Sequence, residues 1–258
     1  MLKKNFIKEK LKEGKQVVGT WSIIPSVISS EILAISGLDF IIIDSEHGPI
    51  NFEKAQEMCI ACELHGTSPI IRVSGVNESE ILKALDVGAH AIQVPNIRSI
   101  EQVSHLIDYA KYPPIGNRGI SNFTRAGMYS LDNAKILAEK ANNNTLVGIN
   151  IEDKTAVDNI DQILDCKEID LIFIGLFDLA KSLGKPGQID DPEVYSYMKS
   201  LIIKINDAGK YSGTIAVNED KAREFLDLGI KYLLYSVDSE VLRRAYKNIV
   251  DLRNSVTD

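Results

Sequence analysis

Phe40-Ile41-Ile42-Ile43-Asp44-Ser45-Glu46-His47-Gly48-Pro49 runs through four apolar residues and then places three ionisable groups within four positions. A short apolar run without polar alternation is what a strand buried on both faces of a parallel sheet looks like. Moving outward, the same pattern recurs at Val17–Trp21, Pro69–Val73, Ala91–Pro95, Leu146–Glu152, Leu171–Phe177, Tyr211–Val217 and Tyr232–Asp238. With Phe40–Asp44 the count is eight. Between the runs lie segments with helical spacing: Ser26–Ser36, Phe52–His65, Ser79–Val87, Ile100–Ala110, Lys154–Leu164, Pro192–Ala208, Glu219–Leu228 and Ser239–Leu252. Gly37, Gly66, Gly88, Gly209 and Gly229 each follow a helical segment and precede a strand, the position where a left-handed residue ends a helix at low cost.

Eight strand–helix units predict an α/β fold, a TIM (β/α)₈ barrel. The 258 residues fit one such domain, residues 1–258, with 1–16 as an N-terminal helical cap. A doubly wound open sheet uses the same local pattern, but no GxGxxG follows the first strand to support dinucleotide binding. Two gaps are long. Asn96 to Thr145 holds an extra helix candidate, Leu131–Ala141, and the loop from Tyr112 to Tyr129. Asp178 to Lys210 is rich in Gly, Pro and Asp. Long loops inside a compact domain are usually functional.

Composition narrows the function classes. Apolar residues make up 45% and charged residues 25%, ordinary for a soluble globular protein. The net charge is −7, which argues against nucleic acid as a partner because phosphate binding needs a basic face. No apolar run approaches a membrane span, and the basic N-terminal stretch lacks the apolar core of a secretory signal. A cytoplasmic location is the expectation. Three cysteines argue against a disulfide framework. Cys59 and Cys62 spell CxxC inside a helical pattern and read as core packing. His65, His90 and His105 sit at helical or strand-start positions and read as surface or core histidines.

In a barrel, chemistry gathers where strands end and loops begin. The second run ends in Asp44, Glu46 and His47. Arg72 sits near the end of the third, where an arginine is costly unless paired or bound to an anion. The fifth ends in Glu152 and the sixth in Asp178. Two carboxylates on neighbouring strands either share a proton or bind a cation. Oxygen-only ligation would select Mg²⁺, Mn²⁺ or a similar hard ion over zinc. Together these parts suit proton transfer beside a carbonyl, with a metal polarising it, an arginine offsetting oxyanion charge and a histidine moving the proton. No lysine ends a strand in position for a Schiff base.

These residues resemble the HpcH/HpaI aldolase family, metal-dependent pyruvate aldolases that cleave 4-hydroxy-2-oxo acids. The resemblance runs from Gly19-Thr20-Trp21 to Val237-Asp238. Its most specific parts are Asp44–Pro49, Leu85-Asp86-Val87-Gly88, Tyr112–Gly119, Ile151-Glu152, Gly175–Leu179 and Asp191-Pro192-Glu193-Val194. It implies a barrel of the phosphoenolpyruvate/pyruvate type, commonly a homohexamer whose last helix, here 239–258, is exchanged between subunits. It implies that Glu152 and Asp178 hold a divalent metal, Mg²⁺ or Mn²⁺ with Co²⁺ a further candidate. It implies that His47 is the acid/base, assisted by Asp44 and Asp86, and that Arg72 contacts the pyruvate oxygen.

Two departures bear on the substrate, for which Asn150, Gly175 and Phe177 are the expected contacts. Asn150-Ile151-Glu152 replaces the family's Gln-Ile-Glu with a shorter amide. Gly175-Leu176-Phe177-Asp178-Leu179-Ala180 replaces Gly-Pro-Ala-Asp-Leu-Ser and brings a bulky ring beside the pyruvate carboxylate. The ring points either into the pocket or into the barrel wall. The leading expectation is a class II aldolase releasing pyruvate, or a close 2-oxo acid, and an aldehyde. The alternatives are a citrate-lyase-like acyl-CoA lyase and a barrel that binds a ligand without turnover.

Overall fold

The computed structural model describes residues 4–130 and 133–257. Helix α1 (Phe6–Lys12) leads into β1 (Val17–Ser22), α2 (Val27–Ile35), β2 (Phe40–Asp44), α3 (Phe52–Leu64), β3 (Ser68–Arg72), α4 (Glu78–Asp86) and β4 (Ala91–Val94). There follow α5 (Ile100–Ala110), α6 (Ala134–Asn144), β5 (Leu146–Ile151), α7 (Lys154–Asp158), α8 (Ile160–Leu164), β6 (Leu171–Ile174) and α9 (Leu176–Ser182). The chain ends with α10 (Pro192–Asp207), β7 (Tyr211–Ala216), α11 (Glu219–Asp227), β8 (Tyr232–Val237) and α12 (Asp238–Thr257). The strands are all parallel and close in chain order, β8 pairing with β1, so this is a TIM barrel.

Two cores follow from the two faces of each strand. Ile41, Ile43, Ile71 and Ile92 face the helices, while Phe40, Ile42, Ile70 and Ala91 fill the barrel interior. Helix α1 adds Ile7 and Leu11 to the interior cluster and so closes the barrel at the end where the strands begin. Close approach explains two strand glycines. A Cβ on Gly19 would stand 2.4 Å from the Phe40 carbonyl oxygen, and one on Gly213 would stand 2.3 Å from the Tyr232 ring. The rings they admit, Phe40 and Tyr232, stack at 4.3 Å in the barrel centre.

The register carries the inward-facing positions up to the mouth. Asp44 stands opposite Arg72, and Arg72 opposite Gln93. Alternation from interior Ile42, Ile70 and Ala91 turns all three inward, above the apolar plug.

The structure corrects three sequence expectations. The sixth strand stops at Ile174 rather than Phe177. Gly175 N–H closes the last ladder bond to Ile151, after which Leu176, Leu179 and Ala180 are buried at helical spacing. Apolar character therefore continued past the strand because a helix needed it. The expected helix Lys154–Leu164 breaks at Asn159, whose side-chain amide donates to the Arg98 carbonyl. The extra helix runs over Ala134–Asn144; Leu131 lies outside the described residues. Among the described residues, no helix is long and apolar enough to cross a membrane.

Candidate functional site

The C-terminal mouth of the barrel opens into a cavity of about 420 Å³. Asp44, His47, Arg72, Asn150, Glu152, Gly175, Phe177 and Asp178 all line it. Eight of the nine site residues expected from sequence thus converge, and Asp86 does not.

Arg72 is the centre of the polar side. Its Nε donates to Asp44 Oδ1 at 2.9 Å while a second nitrogen reaches Asp44 Oδ2, the two-pronged pairing that suits a guanidinium. A third nitrogen lies 3.1 Å from Glu46 Oε2, and the guanidinium lies 4.1 Å above the Trp21 ring. A half-buried strand arginine is thereby ion-paired to two carboxylates and stacked on one face. Asp44 also accepts the backbone N–H groups of Glu46 and His47, at 3.0 and 3.3 Å. It therefore folds the β2 exit so that the exposed His47 stands at the rim. Burial pushes the Glu46 carboxyl up, against the lowering effect of Arg72 and His47; nearby Glu152 and Asp44 raise it further.

The metal-ligand expectation falls on Glu152 and Asp178. Glu152 is fixed from below by a chain of buried side chains. Tyr232 OH donates to Gln93 Oε1 at 2.8 Å, Gln93 Nε2 donates to Asn150 Oδ1 at 2.6 Å, and Asn150 Nδ2 donates to Glu152 Oε1 at 2.9 Å. Asn96, a non-glycine residue at φ 59°, donates its backbone N–H to the other oxygen, Oε2, at 3.0 Å. Asn150 thus spends its amide on Gln93 and Glu152. Gly175 makes room beside them: a Cβ there would stand 2.8 Å from Glu152 Cγ. Asp178 comes from the first turn of α9 rather than from a strand end, and its side chain is 63% exposed, 4.0 Å from Lys181. Phe177 is 45% exposed and lines the cavity, so its ring belongs to the pocket and not to the barrel wall.

Asp86 lies at the other end of the molecule. Helix α4 runs back down the barrel, so its last residue sits where β4 begins. There Asp86 accepts from Arg118 at 2.6 Å and its carbonyl accepts from Ala126 N–H. Burial raises its carboxyl, and the Arg118 hydrogen bond and charge pull it back. The long 112–130 loop belongs to this same lower end. A second lower-end network joins Glu63 to Arg125 and to His90.

Sequence reading missed Gln93, Tyr232, Trp21 and Asn96. A usable signal existed for Gln93, a lone amide inside an apolar strand run, which must be hydrogen-bonded if buried. Cys59 and Cys62 are buried in the outer core, and burial pushes the Cys62 thiol up to about 12, far from a reactive thiolate. His90 is buried, His105 is exposed, and His65 lies beside Glu31. Among the described residues no group of three or more His, Cys, Asp or Glu side chains gathers to hold a metal.

A closed parallel barrel with its ionisable groups gathered at the C-terminal mouth is built as a (β/α)₈ enzyme. Residues 18–245 match the HpcH/HpaI aldolase/citrate lyase family, and the chain belongs to that family. It is 33% identical over 242 residues to the 4-hydroxy-2-oxo-heptane-1,7-dioate aldolase of Shigella sonnei (strain Ss046), covering 93% of this chain and 92% of that one. The HpcH/HpaI aldolase from Desulfitobacterium hafniense DCB-2 superposes with a TM-score of 0.90 at 28% identity, covering 95% of each chain. The citrate synthase SbnG superposes with a TM-score of 0.85 at 29% identity, covering 97% of this chain and 98% of that one. Membership supports a lyase.

Proposed function

We propose that the protein is a divalent-metal-dependent class II aldolase that cleaves a 4-hydroxy-2-oxo acid to pyruvate, or a close 2-oxo acid, and an aldehyde. The observation that carries this is Arg72, held between Asp44 and Glu46 over Trp21 in the cavity that His47, Glu152 and Asp178 also line.

The carboxylate pair fits a hard cation. Its donors are oxygen only, and among the described residues each Glu152 oxygen accepts a single N–H, leaving lone pairs available. The missing Cβ of Gly175 leaves the space that Glu152 occupies. Two protein ligands leave coordination positions for water and substrate oxygens, as Mg²⁺ sites usually do; Mn²⁺ or Co²⁺ would suit the same donors. Such a cation, when bound, polarises the 2-oxo group. The chain's own residues do the rest. His47, at the rim, takes the proton of the C4 hydroxyl. The C3–C4 bond then breaks, its electron pair passing to the enolate and the aldehyde leaving. Arg72 offsets the negative charge that grows on the enolate oxygen, and a proton returned to C3 gives the methyl group of pyruvate.

The test needs no aldehyde. Purified protein stripped of metal and given pyruvate in D₂O should exchange the methyl protons only after Mg²⁺, Mn²⁺ or Co²⁺ is added, read by proton NMR. No exchange with any of the three would overturn the reading. The likeness to the citrate synthase SbnG favours a second reading, in which the same enolate is used to build a carbon–carbon bond; the choice of acceptor separates the two.

The working unit is a homo-oligomer, a hexamer by resemblance. From Val241 to Val256 every residue of α12 except Arg244 is exposed, including Leu242, Tyr246, Ile249 and Leu252. Helix α2 exposes Ile28, Ile32 and Ile35. An exchanged α12 would cover such a row. Asp86, kept from His47 within one chain, would then serve the His47 of another copy.

A further inference from the structure

We infer that the aldehyde partner of this reaction carries an uncharged, apolar substituent rather than a carboxylate. The inference rests on the aldolase reading and adds the acceptor's class to it.

The cavity has two unlike sides. Its polar groups come from the ends of β2, β3 and β5 and the first turn of α9. The side formed by β7, β8 and the β1–α2 connection presents Ile23, Ile215 and Val237, and Phe177 faces the cavity with them. Ile23, Ile215 and Val237 are only partly buried and Phe177 is exposed, so they offer apolar surface to whatever enters. Ile215 and Val237 pack on the interior cluster that contains Trp21, the ring beneath Arg72. The apolar surface therefore begins at the reacting centre. An acceptor whose carbonyl carbon meets the enolate has this surface as the place for its substituent.

Charge points the same way. Among the described residues lining the cavity, Arg72 is the one lysine or arginine, and its charge is already shared with Asp44 and Glu46 and, in the proposed reaction, with the enolate oxygen. On the apolar side the polar groups are Ser239 and Glu240. Glu240 is held by Arg243 at 2.8 and 3.0 Å, and Arg244 is turned to the Val217 carbonyl and the Tyr235 hydroxyl. Within one chain a carboxylate on the substituent would meet no available cation there and would lose its water against apolar side chains, and Arg118, which would enter with Asp86 from a second copy, is held by that aspartate at 2.6 Å. An alkyl or aryl group would gain about fourfold per methylene buried.

Run as an addition, the reaction makes the bond it otherwise breaks. The enolate carbon forms a bond to the aldehyde carbon, the carbonyl electron pair moves to its oxygen, and that oxygen takes a proton from His47. With the D₂O exchange of pyruvate measured first, kcat/KM is then compared for butanal, pentanal and hexanal and for succinic semialdehyde, the ω-carboxylate counterpart of butanal. The expected result is a rise of about fourfold per methylene and a value for succinic semialdehyde at least about tenfold below butanal. Phe177→Arg should reverse much of that discrimination, and Phe177→Ala should flatten the alkanal series; the exposed position tolerates both. Intact exchange with succinic semialdehyde preferred over butanal overturns the inference and leaves the aldolase reading standing. Absence of exchange removes the aldolase reading and the inference with it.

Discussion

Arg72 shows how one side chain can be legible by type and hidden by partner. An arginine inside Ile70-Ile71-Arg72-Val73 had to be paired, but nothing in the spacing named Asp44, Glu46 and Trp21 as its cradle. That cradle predicts that Arg72→Lys is not conservative. A lysine cannot bridge Asp44 through two nitrogens or stack flat on Trp21. The metal-dependent exchange rate should fall by about 10²–10³, the usual cost of losing an oxyanion partner, with the far-ultraviolet circular dichroism unchanged. Gly175 makes a second case. Its φ of −80° suits any residue, so the glycine is required by space and not by backbone freedom. The Cβ of Gly175→Ala would collide with Glu152 Cγ and displace a proposed metal ligand. Titration with Mn²⁺ followed by electron paramagnetic resonance should show at least about tenfold weaker binding, within the range for losing a ligand's supporting contacts.

Elements were easier to read than their ends. Eight apolar runs and the glycines that close the helices gave the barrel, because a strand buried on both faces leaves little choice of composition. The end of β6 is not legible in the sequence because apolar residues serve first a strand and then the buried side of α9, and composition does not change between them. Asn150 lines the cavity as its strand position suggests, but its partners Gln93 and Glu152 are set by tertiary register, which local sequence does not encode. Lys111 is a further element-scale device that spacing could not reveal. It ends α5, is buried, and donates through Nζ to the carbonyls of Asn142 and Thr145, binding α5 to the end of α6 and the start of β5. Burial lowers its pKa to about 8, although Asp170 opposes the shift. Between about 8 and the unfolded value near 10.5 the unfolded chain holds more protons, so this group adds stability as pH rises through that window. Urea unfolding of the wild type and Lys111→Met from pH 7 to 10.5 should show the wild type gaining up to about 3 kcal/mol on the variant. A constant difference across the window would contradict the assignment.

At the scale of the whole molecule, topology separates two residues that the family resemblance joins. His47 follows β2 at the upper mouth, while Asp86 ends α4 at the lower rim beside Arg118. No side chain crosses a barrel, so an assisting role for Asp86 requires a second copy whose lower rim meets this upper mouth. The apolar residues exposed along α12 make such an assembly favourable, since an isolated chain would leave Leu242, Tyr246, Ile249 and Leu252 in water. Placing Asp at both Tyr246 and Ile249 should leave the barrel folded, because neither side chain is buried within one chain, and should shift light-scattering mass to smaller species with loss of exchange activity. The sharper test is complementation. His47→Ala and Asp86→Ala proteins should each be nearly inactive alone. If each site takes His47 from one chain and Asp86 from another, refolding equal amounts together makes about a quarter of the sites complete, by random pairing of subunits. If both residues served within one chain, no mixed assembly could contain a complete site, and the mixture would stay as inactive as its parts.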